Sequence, residues 1–235
     1  MFKCIMIDWG GTLSDETELF RKIAEEFTYP FWKKLGFKGT FEEYMRAEKK
    51  TGEDLWAMWK RNRFQKREDW SLLFSKNTGV KISNDDAIKE FNLFWKGYAK
   101  HSSLLPDAES TLKFIKSKGI MLALVSNNFK ESYKIFDKYG ITKLFDTKIL
   151  SEEAGALKSE LEPFKFVLRK LKITPEKCLM VGDKTDEDGA CRKLGIKFCL
   201  VDLEDKHAGK NYEFDYRITK LSELGKIIKG ASKEV

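Results

Sequence analysis

The pattern that most restricts this chain is a series of short apolar runs, each closed by a polar or glycine-containing turn. Residues 2–7 run into Asp8-Trp9-Gly10-Gly11-Thr12-Leu13, and residues 120–125 run into Ser126-Asn127-Asn128. Residues 177–181 run into Gly182-Asp183 and on to Asp188, and shorter apolar runs lie at 147–150, 196–201 and 216–218. Helical patterns fall between them, at 107–118, 130–139, 162–171, 187–194 and 221–228; Gly119, Gly140 and Gly195 stop three of these. Continuous apolar strands alternating with helices specify an α/β fold, a doubly wound parallel sheet covered on both faces. Right-handed crossovers bring the carboxyl ends of such strands to one edge, where ligands bind.

Residues 16–104 read differently. They hold five of the six tryptophans (Trp32, Trp56, Trp59, Trp70 and Trp95) and show helical spacings such as Phe91, Phe94, Trp95 and Tyr98. Their flanks are polar or contain proline. The expectation is a smaller all-α module, 16–104, inserted into a core made of 1–15 and 105–235. With 42 % apolar and 13 % aromatic residues, the chain has ample material for both cores, which excludes disorder as its main state. No apolar run approaches the roughly 18 residues of a membrane span. Asp8 interrupts the N-terminal apolar run and no cleavage pattern follows, so a cytoplasmic protein with no membrane partner is expected.

Asp8, Asp183 and the Ser126 hydroxyl would meet at the carboxyl edge of the sheet. Clustered carboxylates repel one another and are stable together with a cation between them. Oxygen ligands, with only His101 and His207 as imidazoles, point to Mg²⁺ rather than zinc. The four cysteines include no C-x-x-C pair, and Cys4, Cys178 and Cys199 sit in apolar runs as buried small hydrophobes. A carboxylate beside a divalent ion and near backbone amides is well placed to attack phosphorus.

At these residues the chain resembles the haloacid dehalogenase superfamily. Asp8-Trp-Gly-Gly-Thr-Leu13 is similar to its first motif and Leu124-Val-Ser-Asn127 to its second. Ser151-Glu-Glu-Ala-Gly-Ala-Leu-Lys158 resembles the stretch carrying its third-motif lysine, and Val181-Gly-Asp183 with Asp188 its fourth. Residues 16–104 stand where the family inserts a helical cap between its first and second motifs. About thirty residues separate Asn127 from Lys158, which leaves no room for the alternative cap location. The resemblance implies a Mg²⁺-dependent phosphatase acting on a small phosphorylated metabolite. Asp8 would be the nucleophile and form an aspartyl intermediate. Ser126 and Asn127 would contact the phosphoryl group, Thr12 would support the loop, and Lys158 would neutralise charge. Asp183 would hold Mg²⁺ with an Asp8 oxygen and the Gly10 carbonyl; Asp188 would bind through water or orient the others.

Two positions depart from the family pattern. Gly10 stands where the family's phosphatases carry an aspartate that protonates the leaving group. A small residue there resembles the phosphonatase branch, which cleaves a carbon–phosphorus bond, although the matching cap signature is absent. Gly10 also admits a catalytically impaired binding protein as an alternative. At Lys158-Ser159 the family usually has Lys-Pro. The charge balance, 44 Lys and Arg against 37 Asp and Glu, gives +7 and favours an anionic ligand weakly. Residues 60–67 pack five bases around Phe64, a pattern that RNA binders share. A solvated helix face accounts for it as well, and nucleic acid is not the expected partner. Asp186 and Glu187 read as surface acids in the first turn of a helix.

Overall fold

The computed structural model describes residues 1–62, 66–203 and 213–230. In chain order the elements begin with β1 (Cys4–Ile7) and β2 (Ser14–Asp15). Next is α1 (Leu19–Ile23), which passes through a π-helical turn (Ala24–Thr28) into α2 (Tyr29–Lys34). Then come α3 (Phe41–Asn62), α4 (Asp69–Thr78), α5 (Asn84–His101), β3 (Ser103–Leu104), α6 (Ala108–Ser117), β4 (Met121–Ser126) and α7 (Ser132–Lys138). The chain continues with β5 (Thr147–Leu150), α8 (Ser151–Ala154), α9 (Glu162–Leu171), β6 (Cys178–Gly182), β7 (Lys197–Val201), β8 (Tyr216–Ile218) and α10 (Leu224–Gly230).

The chain divides into two units, Met1–Asp15 with Ser103–Val235, and Glu16–Ser102. The first holds a six-stranded parallel sheet in the order β5-β4-β1-β6-β7-β8. The order reverses around β1: Ile7 lies opposite Leu124 of β4 on one side and Val181 of β6 on the other. Strands β1 and β6 are buried along their whole length. On one face Met6, Val125, Met180 and Phe198 pack with Phe164 and Val167 of α9. The alternate residues Ile5, Ile7, Leu122, Leu124, Leu179 and Val181 are equally buried. Burial on both faces is why these strands read as unbroken apolar runs instead of alternating. Phe164 is fully buried, so Phe164→Ala would cost about 3–5 kcal/mol. The segments that leave and re-enter this unit, β2 and β3, pair as a short antiparallel ribbon.

Two expected helices differ in form. The segment read as a helix over 187–194 is a 3₁₀ turn, Gly189–Leu194. The amides of Asp188 and Gly189 both bond to the Lys184 carbonyl, at 2.9 and 3.2 Å, a wide turn, and the 3₁₀ winding starts after it with Cys191 N donating to Asp188 O at 3.2 Å. The last helix opens with a 3₁₀ turn, Leu221–Glu223, whose entry is tightened by Glu223 Oε2 accepting from Thr219 N and Lys220 N.

The second unit is helical and has an aromatic core of Trp32, Phe37, Tyr44 and Phe74, with Trp32 and Phe74 rings 4.4 Å apart. Helix α5 lies close to α1 and the π-helical turn at Gly97, where a Cβ would stand 3.0 Å from Ile23 Cγ2 and 2.8 Å from the Phe27 ring. Two acids enter this interior. Glu48 accepts from Tyr44 Oη (2.9 Å) and Trp70 Nε1 (3.1 Å), and Glu90, 3 % exposed, accepts from Ser71 Oγ (2.6 Å). Desolvation pushes Glu90 up to about 7, and desolvation with the nearby Glu90 charge pushes Glu48 up to about 8. Of the basic cluster at 60–67, Arg63, Phe64 and Gln65 lie outside the described residues; Lys60 Nζ sits 5.6 Å over the Trp56 ring. His101 Nε2 meets Glu26 Oε2 at 2.7 Å. All four cysteines are buried and free. Among the described residues, no helix is long and apolar enough to cross a membrane.

Candidate active site

Asp8 follows β1 at the point where the strand order reverses, the position at which an open parallel sheet leaves a crevice. Its amide donates to Val181 O at 3.0 Å, and the residue is 6 % exposed. The next residue anchors the loop. Trp9 is fully buried, its ring 4.5 Å from that of Phe136, and its carbonyl accepts from the amides of Thr12, Leu13 and Ser14 at 3.4, 2.8 and 2.9 Å. Gly10 forms an isolated bridge with Ser14. Gly11 carries the left-handed turn at φ 65°, and a Cβ on it would stand 2.7 Å from Asp183 Oδ2. Glycine is therefore required twice over at this position, by conformation and by space.

Lys158, on a 3₁₀ turn (Lys158–Glu160), is 2 % exposed. Its Nζ lies 2.9 Å from Asp8 Oδ1 and pairs directly with Asp188 Oδ1. Asp188, fully buried, also accepts from Lys184 N through Oδ2 at 2.9 Å. Its carboxyl fills the space where a side chain at position 182 would go: a Cβ on Gly182 would fall 2.2 Å from Asp188 Cγ. Asp183 stands at the rim, 2.9 Å from the exposed ammonium of Lys184. Ser126 ends β4, and since β4 runs parallel beside β1, its buried hydroxyl leaves the sheet at the same edge as Asp8.

Three carboxylates, Asp8, Asp183 and Asp188, thus bring oxygens within 4.8 Å of one another. Burial raises the Asp183 carboxyl, opposed by Lys184 and aided by Asp8. Burial likewise pushes Asp188 up to about 7, with Lys158 opposing and Asp8 and Asp183 adding to the rise. For Lys158, burial would lower the ammonium, but Asp188 and then Asp8 more than offset it and hold it above its usual value. One buried ammonium does not balance three acids. Among the described residues, Asp183 Oδ1 is buried without a hydrogen-bond donor, as is Thr12 Oγ1. An oxygen-only donor set with excess negative charge and undonated lone pairs fits a hard divalent cation such as Mg²⁺.

Asn127, expected at the phosphoryl group, uses both ends of its amide on neighbouring loops. Nδ2 donates to Glu187 Oε2 at 2.9 Å, and Oδ1 accepts from Lys158 N at 2.9 Å. Glu187 corrects the reading of a surface acid: it is 1 % exposed and accepts from Ser159 N at 3.1 Å as well. The run Asp186-Glu187-Asp188 carries no signal that separates the outer acid from the two inner ones. Gly182 was legible only as the residue before Asp183, not as the seat of Asp188.

Residues 2–195 match the family model of the haloacid dehalogenase-like hydrolases, and the chain belongs to that family. A glyceraldehyde 3-phosphate phosphatase from Methanocaldococcus jannaschii is 31 % identical over 137 residues, covering 55 % of this chain and 58 % of that protein. A ribulose-1,5-bisphosphate 5-phosphatase from Halopiger xanaduensis is 26 % identical over 154 residues, covering 61 % of this chain and 64 % of that protein. The chain thus spans about three fifths of the length of these two relatives. Among solved structures, the magnesium-bound HAD-hydrolase YfnB from Bacillus subtilis superposes with a TM-score of 0.78 at 19 % identity, covering 97 % of this chain and 98 % of that one. At that identity the likeness is one of fold.

Proposed function

We propose that this hydrolase is a Mg²⁺-dependent phosphatase that acts on a small phosphorylated metabolite through an aspartyl-phosphate on Asp8. One observation carries the reading: a nearly buried carboxylate at the crevice of the sheet, 2.9 Å from the Lys158 ammonium and flanked by Asp183 and Asp188. The phosphatase names of the two relatives support the substrate class. On this reading an Asp8 oxygen attacks phosphorus, the P–O bond to the substrate alcohol breaks, and water later cleaves the acyl phosphate to regenerate Asp8. Lys158 offsets charge on Asp8 and on the phosphoryl oxygens, and Asp188 keeps that ammonium aimed. Ser126 donates its hydroxyl to the phosphoryl group, and Thr12 supports the loop. Asp8, Asp183 and the Gly10 carbonyl would hold Mg²⁺, which when bound polarises the phosphoryl oxygens and relieves the repulsion among the carboxylates. Gly10 offers no proton, so the departing alkoxide takes one from water or from the substrate itself. The reading also takes 16–104 as the cap domain of a core made of 1–15 and 105–235, in a cytoplasmic protein.

The test is phosphate release from a panel of phosphorylated metabolites by purified protein, in Mg²⁺ and in EDTA, with Asp8→Asn as control. Mg²⁺-dependent release lost in Asp8→Asn is expected. No release from any member, or equal release in EDTA, would overturn the reading.

A further inference from the structure

We propose that Glu187 is a positioning residue for Lys158: it holds the turn that presents the lysine, acting through Asn127 and through the Ser159 amide. The proposal rests on the phosphatase reading for its kinetic consequence, but not for the bracing itself.

An acid at 1 % exposure is costly to bury unless its oxygens receive hydrogen bonds. The donors Glu187 meets are specific. Its Oε2 receives both Asn127 Nδ2 (2.9 Å) and Ser159 N (3.1 Å), while Asn127 Oδ1 receives Lys158 N (2.9 Å). Lys158 and Ser159 open a short 3₁₀ turn, and opening amides have no partner within their own helix. Asn127 and Glu187 supply both partners. The far side of the turn is closed by Leu157 N donating to Glu160 Oε2 at 2.9 Å. Three chain segments are thereby tied together: the end of β4, the turn with Lys158, and the loop after β6.

The two consecutive acids divide the labour. Asp188 takes the ammonium of Lys158, and Glu187, directly before it, takes the backbone of the same turn. Ser159 matters through its N–H alone, and proline at that position would have none to give. Both donors converge on Oε2, so a glutamine at 187 can accept both through its one oxygen, whereas alanine accepts neither.

The experiment compares wild type, Glu187→Ala, Glu187→Gln and Asn127→Ala in two measurements. The first is amide hydrogen exchange at Lys158 and Ser159 by NMR. Glu187→Ala should speed both by at least about tenfold while the amides of Cys4–Ile7 stay unchanged. The second is hydrolysis of p-nitrophenyl phosphate with Mg²⁺, with and without Lys158→Met. Glu187→Ala should lower kcat by about 10- to 100-fold with little change in KM, and cost little more once Lys158 is gone. Glu187→Gln, which can keep both bonds, should retain most of the exchange protection and of kcat. Unchanged exchange at 158 and 159 would overturn the bracing. An equal loss with and without Lys158 would reduce Glu187 to a general structural residue. If wild type releases no phosphate, the phosphatase reading fails while the exchange result still decides the bracing. If Glu187→Ala does not fold, Asn127→Ala, which removes the acceptor of Lys158 N and one donor to Glu187, decides it by amide exchange at Lys158 and Ser159.

Discussion

Lys158 and Asp8 face each other across 2.9 Å with side chains only 3 % and 8 % exposed, and Asp188 holds the lysine from the other side. Asp8 thus sits beside a cation that it shares with Asp188. Compensated charge at the crevice of the sheet is what a nucleophilic carboxylate needs.

Asp8→Asn should lower turnover by at least about 10³-fold. Stability should hold or rise, because the change removes one of three crowded acids and leaves Lys158 paired with Asp188. Steady-state kinetics and a thermal melt check the two parts. More than a tenth of wild-type turnover would mean Asp8 is not the nucleophile.

Removal of Asp183 separates metal binding from nucleophilicity. In wild type, MgCl₂ should raise the melting temperature, since a ligand that binds the folded state stabilises it. Asp183→Ala should abolish that rise and weaken Mg²⁺ binding by more than about tenfold in calorimetry. An unchanged Mg²⁺-dependent shift would place the cation elsewhere.

Gly10→Asp supplies an acid next to a site that lacks one. The strained residue of the loop is its neighbour, Gly11, at φ 65°. A positioned general acid contributes about 10²–10⁴-fold. Alkyl phosphates, whose leaving groups need a proton, should gain turnover, and p-nitrophenyl phosphate should change much less. Equal loss on both, in a variant that melts as wild type does, would mean another group already donates the proton.

The helical unit should lose stability as pH rises. Glu90 has its folded pKa raised from 4.5 to about 7 by desolvation. Between those values the folded state binds more protons than the unfolded one, so this contribution is complete below about 4.5 and is lost as pH passes about 7. Glu90→Gln, which can still accept from Ser71, should flatten the decline. Melting curves from pH 4 to 9, taken as the difference between wild type and Glu90→Gln, measure it. Parallel curves would show that Glu90 ionises in the folded unit at its ordinary pH.

The strands and the residues at their ends were legible because a strand buried on both faces has one composition, and its first polar residue marks the sheet edge. Asp8, Ser126 and Asp183 stand out for that reason. Lys158 was legible only by resemblance: its local sequence is that of a surface lysine, and its burial depends on Asp188, thirty residues on. Glu187 was not legible. Three consecutive acids look alike in one dimension, and which of them turns inward is decided by partners on two other segments, Asn127 and Ser159. The inner acids Glu48 and Glu90 were hidden likewise, since helical periodicity marks a face but not which polar residue on it finds a hydrogen-bond donor.

The space at Gly182 has a consequence for how this protein can change. The carboxyl of Asp188 occupies the volume a side chain at 182 would need, within 2.2 Å of that Cβ. The two positions are therefore locked as a pair: no residue larger than glycine can be accepted at 182 while Asp188 keeps its seat. A single methyl group there would unseat the partner of Lys158 while leaving every charge in the chain in place. In a library of neutral-looking substitutions, position 182 would behave as an off switch.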